Sequence, residues 1–271
     1  MQDAHLSASF PFCNFWRSRY PKRPVSGLYL GPTDLRCMKV HLLQSVISRC
    51  ITDHLHLQNT RWYLPHEIVH QFNTHWSPPQ PSTLANIYDQ CLTSTISQRW
   101  WKREQYRPKE IMLQLIAADP ELATIAWKDL ANTSASLDGR LSRFDYYCTE
   151  LLQLHRQQHF RSVETYHHQD ATMLSFYLAG LQPNQYALYP GLTAFAGFCK
   201  AIGSPDIPKV DDLVRYMKVA SIVNTYLQRD VRYVQLIEAR SASTPQEILI
   251  PFQLAYEVIL YAGMDFKPSE I

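Results

Sequence analysis

The sequence has little of the residues that usually announce a chemistry. Its 271 residues include six cysteines and eight glycines, and only 18% are charged, with 26 Lys+Arg against 24 Asp+Glu for a formal charge of +2. The cysteines, at 13, 37, 50, 91, 148 and 199, form no CxxC pair, which excludes a disulfide framework. They read as reduced thiols, with Cys148 and Cys199 buried, so a cytoplasmic protein is expected. None of the glycines (27, 31, 139, 180, 191, 197, 203, 263) forms GxxxxGK[ST] or GxGxxG, which excludes a nucleotide hydrolase with such a loop. GxSxG is absent as well, and Pro205-Asp206 reads as helix-start chemistry rather than as part of a nuclease motif. No cofactor is implied. Long apolar runs are missing too: residues 248–262 come nearest, about 15 long and interrupted by Pro251, Gln253 and Glu257, too short to span a bilayer. What is plentiful is hydrophobic content, at 46%, which with a small net charge excludes disorder.

The charge that exists is uneven. Arg17, Arg19, Lys22, Arg23 and Arg36 against Asp3 and Asp34 give residues 1–37 a charge of +3, leaving −1 for residues 38–271. Four prolines, two glycines and no period make residues 1–37 an irregular basic leader. Its basic residues follow the short Phe10-Pro11-Phe12 cluster instead of preceding an apolar run, so it does not match a secretory signal. Two readings stand: a basic aromatic arm that binds something, or an over-extended start whose true initiator is Met38.

From Met38 onward the period is helical. Leu137, Leu141, Phe144, Cys148, Leu151 and His155 lay one stripe along a helix, with Asp138, Arg140, Arg143 and Glu150 off it. Asp119-Pro120 pairs an N-cap with an N1 proline, Asp206-Ile207-Pro208 does so less tightly, and Thr244-Pro245-Gln246-Glu247 is a capping box. Gly263 reads as a C′ residue. The pattern predicts helices near 39–57, 65–75, 83–96, 108–118, 120–132, 136–159, 168–181, 191–202, 208–229, 230–240 and 245–262. Pro251 should kink or split the last. The expected fold is all-α, an irregular multi-helix domain over 38–271 with about ten helices, no substantial sheet and a weak sub-boundary near 160–168. Residues 252–261 are apolar on nearly every face, so that helix is either central or packs on something outside the chain.

Three segments carry candidate chemistry. His66-Glu67-Ile68-Val69-His70 matches HExxH, in which two imidazoles one turn apart hold Zn²⁺ while the glutamate polarises water. Against a zinc hydrolase stand Pro65, which puts His66 in the first helical turn, and Trp76, which occupies the place of a third histidine. The alternative is a solvated or capping pair. The second segment, residues 97–109, interleaves Arg99, Lys102, Arg103, Arg107 and Lys109 with Trp100, Trp101 and Tyr106, offering cations for phosphates and flat faces for bases. Equally, it reads as a basic loop with one tryptophan in the core. In the third, Asn184 to Phe195, Tyr186 and Tyr189 flank Pro190-Gly191, either as a recognition loop or as a turn packed on the core.

Ser97-Gln98-Arg99-Trp100-Trp101 with Pro108-Lys109-Glu110-Ile111-Met112-Leu113, then Leu137-Asp138-Gly139-Arg140-Leu141 running to Leu152, then Phe176-Tyr177-Leu178 and Tyr189-Pro190-Gly191-Leu192-Thr193-Ala194-Phe195, form a recognisable order. Over roughly residues 52–238 it resembles the helical region that precedes the AAA+ GTPase module in some McrB-type restriction proteins of Bacteroidetes. The resemblance implies a cytoplasmic defence system in which such a region selects modified or foreign DNA, a ring-forming motor hydrolyses GTP and a partner subunit cuts. DNA and an AAA+ motor or nuclease subunit are then the implied partners, with no membrane. This chain lacks the motor, and residues 248–262 would be where it met its missing neighbour. A helical protein-interaction scaffold is a further alternative.

Overall fold

Proline and short polar caps decide where these helices begin. The computed structural model describes residues 39–56, 64–94, 98, 101–102, 105–159, 164–243 and 249–265. Eleven helices run through them: α1 (Val40–His56), α2 (Leu64–His75), α3 (Leu84–Cys91), α4 (Pro108–Ala118), α5 (Pro120–Ala131), α6 (Leu137–Gln158), α7 (Ala171–Leu181), α8 (Leu192–Ala201), α9 (Leu213–Leu227), α10 (Tyr233–Ser243) and α11 (Gln253–Asp265). The described residues contain no strand, so the fold is all-α. No helix among them is long and apolar enough to cross a membrane. Residues 1–37 and the Thr244–Glu247 capping box lie outside the described residues.

Asp119 shows how local chemistry sets the corners. Its backbone closes α4, and its side chain accepts the Leu122 N–H at 2.9 Å, so a single residue links two helices. Removing the cap leaves that donor without its side-chain acceptor. Asp119→Ala is expected to cost about 1 kcal/mol in urea unfolding, and Asp119→Asn much less. Ser136 caps α6 and Asp170 caps α7 in the same way.

Four expectations change. The helix expected over 208–229 starts at Leu213, because Asp212 caps it and Asp206 is used instead to bind the Arg215 guanidinium at 2.8 Å. Pro251 kinks nothing: it lies in the turn before α11, which begins at Gln253. Gly263 is no C′ residue but sits within α11 at a negative φ, where a Cβ would run into the Ala194 carbonyl of α8. Gly197 on α8 faces the Gly263 carbonyl equally closely. Finally Arg140, read as off the stripe of α6, is buried.

Residues 38–271 form one unit around one core, which runs from Leu43 to Ala262. At the end of the stretch near 160–168, His167 and Gln169 are buried, and residues 160–163 lie outside the described residues. Trp127 lies at the centre of one aromatic block with Phe72, Trp76, Tyr88, Phe144 and Tyr177. The other block is built on α11, buried from Phe252 through Ile259 and packed on α8, α9 and α1. The apolar segment is thus central to this unit, not a face turned to a missing neighbour.

Candidate functional site

The basic segment folds back onto the start of α7. Trp101 is buried and stacks on Phe176 with ring centroids 6.0 Å apart. The Tyr106 hydroxyl donates to Asp170 Oδ1 at 3.0 Å, and its ring meets His168 edge-on. Arg107 pairs with Glu164 at 2.8 Å. Lys109 reaches Asp89 Oδ1 and the Leu92 carbonyl, each at 2.8 Å, which places a cation at the carbonyl end of α3. Lys102 is exposed. Arg99, Trp100 and Arg103 lie outside the described residues. The two described arginine and lysine side chains nearest α4 therefore already have carboxylates, supplied from 57 and 20 positions away in sequence.

The HExxH residues are drawn apart by burial. His66 is 0% exposed, its Nδ1 accepting the Ile250 N–H at 3.0 Å and its Nε2 lying 2.8 Å from Glu257 Oε1. Glu257 also takes two bonds from Arg240, at 2.8 and 2.7 Å. Burial by itself would raise the Glu257 carboxyl. The Arg240 charge and the bonds from His66 and Arg240 outweigh it and hold the group down at about 2. His70 and Glu67 are half-buried, and His70 Nε2 is 3.5 Å from Thr74 Oγ1. Zinc bound through His66 would have to displace either the Ile250 amide or Glu257. Among the described residues no three His, Cys, Asp or Glu side chains are placed to hold a metal.

No protein-family model, curated protein or solved structure matches this chain.

The tyrosine loop, too, is tied down. Gln253 Oε1 accepts the Leu188 N–H and its Nε2 donates to the Tyr186 carbonyl, both at 3.0 Å. Tyr189 is buried with its hydroxyl on Asp211 at 2.8 Å, and Tyr216 donates to the Leu188 carbonyl. Gly191 takes φ +94°, a left-handed backbone that favours glycine, between this loop and α8.

Sequence reasoning missed a second polar chain. Tyr88 and Tyr177 share a hydroxyl contact at 2.8 Å, Tyr177 donates to Gln169 Oε1 at 2.5 Å, and the Gln169 amide nitrogen donates to the carbonyls of Pro108 and His167. His167 Nε2 then lies 3.2 Å from Asp145. Isolated tyrosines and a glutamine leave no periodic trace, so nothing in the sequence marked them. The cysteines at 50, 91, 148 and 199 are free and buried. Burial pushes the Cys91 thiol up to about 12 and that of Cys199 to about 11, which makes both poor nucleophiles. Between α1 and the α9–α10 turn, a cavity of about 300 Å³ is lined by Gln44, Ile47, Tyr226, Arg229 and Arg232. Arg232 there is bound to Asp230, Ser48 and Thr52.

Proposed function

We propose that this chain is a non-catalytic helical adaptor region of a McrB-like defence system, working in the cytoplasm beside an AAA+ motor or nuclease subunit. One observation supports the reading: His66, Tyr106, Arg107 and Lys109, among the described side chains that looked like chemistry, spend hydrogen bonds on holding segments of the fold together. His66 joins α2 to α11, Lys109 joins α4 to the end of α3, and Tyr106 joins the basic segment to the cap of α7. Residues 38–271 sum to −1, so no broad basic field draws this unit to nucleic acid. The order of motifs between residues 97 and 195 supports the family.

A second reading, DNA recognition, rests on the exposed Lys102 together with Arg99, Arg103 and Trp100. Titrating labelled duplex DNA into the full chain separates the two. The adaptor reading expects no binding at 50 mM salt, and co-purification with an AAA+ motor or nuclease subunit from the native host. Binding whose log–log salt slope is about −2 to −4, and which Arg99→Ala/Lys102→Ala abolishes, favours DNA recognition instead. The zinc-hydrolase alternative has the least support, and metal analysis of purified protein tests it: stoichiometric zinc lost in His66→Ala would restore it.

A further inference from the structure

We propose that Arg140 is a built receptor for a carboxylate, covered by the tyrosine loop. Arg140 is 1% exposed, and none of the described carboxylates lies within ion-pair distance of it. That is unusual chemistry, since a buried guanidinium normally has a carboxylate beside it. Arg240 in the same molecule has Glu257.

The geometry shows which part of the guanidinium is spent. Arg140 Nε donates to the Leu130 carbonyl at 2.7 Å, so the inner edge is anchored at the negative end of α5. The outer edge is the one a carboxylate would take with two parallel bonds. There Nη1 meets only the neutral Tyr186 hydroxyl, at 3.0 Å, and Nη2 has no acceptor among the described residues. A second orphan stands at the same helix end: Gln182 donates its amide to the Ala131 carbonyl, next to Leu130, and its Oε1 has no donor. The Tyr186 ring covers the cation, 5.6 Å from its centroid, and is itself half-buried. Asn184 and Gln185, directly before Tyr186 in the chain, are exposed. An incoming carboxylate replaces the Tyr186 hydroxyl on Nη1 and takes Nη2 as well, exchanging a neutral acceptor for a charge-matched one. Its source is either a small free acid or an Asp or Glu side chain of a partner protein.

Acetate, titrated into the full chain against sodium chloride at equal ionic strength, tests this through the Arg140 guanidinium resonances and the thermal midpoint. The expected result is a saturable response in the millimolar range. Tyr186→Phe keeps the ring and removes the competing hydroxyl, so it should lower the acetate midpoint by about fivefold. Arg140→Lys, which loses the fork, should abolish saturation. A blocked Asp-containing peptide binding at least tenfold tighter than acetate assigns the site to a partner side chain, whereas equal midpoints assign it to a free acid. No saturable response in both the native chain and Tyr186→Phe overturns the proposal. So does an equal response in a folded Arg140→Lys, or inorganic phosphate binding as well as acetate. Because Tyr186→Phe touches only a half-buried hydroxyl, the test survives a failure of Arg140→Lys to fold.

Discussion

Glu257→Gln should lower unfolding stability by about 3 to 5 kcal/mol. The carboxylate holds three donors in a site that solvent barely reaches: Arg240 through both oxygens and His66 through one. An amide of the same shape offers Arg240 one acceptor and no charge, leaving a buried guanidinium uncompensated, and that penalty rather than the lost bonds dominates. Chemical denaturation of Glu257→Gln beside Arg240→Met/Glu257→Leu separates the two effects. The double variant should recover much of the loss, because it removes both charges together. A Glu257→Gln protein as stable as the native chain would show that the network contributes nothing. The pH dependence has a definite sign. Glu257 titrates at about 2 in the folded chain, below its ordinary 4.5, so its contribution is complete above about 4.5 and is lost as pH falls from there towards 2. Acid unfolding of the native chain should therefore begin below pH 4.5, and Glu257→Gln should flatten that limb.

Gly263→Ala is expected to cost about 3 kcal/mol although it adds a single methyl group. The added Cβ meets backbone, the Ala194 carbonyl carbon and oxygen, and no rotamer change relieves it. α8 and α11 would have to separate, and with them the apolar faces that carry Phe195, Phe198, Val258 and Ile259. Gly139→Ala serves as the control, because its Cβ meets only the tips of Ser136 and Arg143 and the residue lies in the first turn of α6. Comparable losses at both positions in thermal unfolding would refute the crossing as the cause. Replacing Gly180, whose Cβ would strike the ring and the Cβ of buried Phe72, should also cost more than Gly139→Ala, since Phe72 is held on all sides by the aromatic block.

How much of this was legible in the sequence depends on the range of the interaction. A helix start written in adjacent residues was readable where Asp119 precedes Pro120. Asp206-Ile207-Pro208 misled, because the capping chemistry is equally good at Asp212 and only the tertiary pairing of Asp206 with Arg215 decides between them. Gly263 carried a local signal for a helix end, whereas its actual use, letting two helices touch backbone to backbone, is set by a residue about seventy positions earlier. The candidate site was less legible still. Basic residues at 107 and 109 read as unspent charge, since Glu164 and Asp89 lie far along the chain. Arg140 was read as off the apolar stripe of α6, although it stands one helical turn beyond Leu137, and the structure buries it.

The join between His66 and Glu257 also sets a clock for synthesis. The two residues stand 191 positions apart, and α11 supplies the centre of one half of the core. At typical translation rates of about 5 to 20 residues per second, His66 waits roughly 10 to 40 s for its carboxylate. Once α8 and α9 have been made, the surfaces of α1, α8 and α9 that α11 covers stay open until residues 253–265 follow. That half of the core can close only when α11 has been made, since α11 packs on α8, α9 and α1.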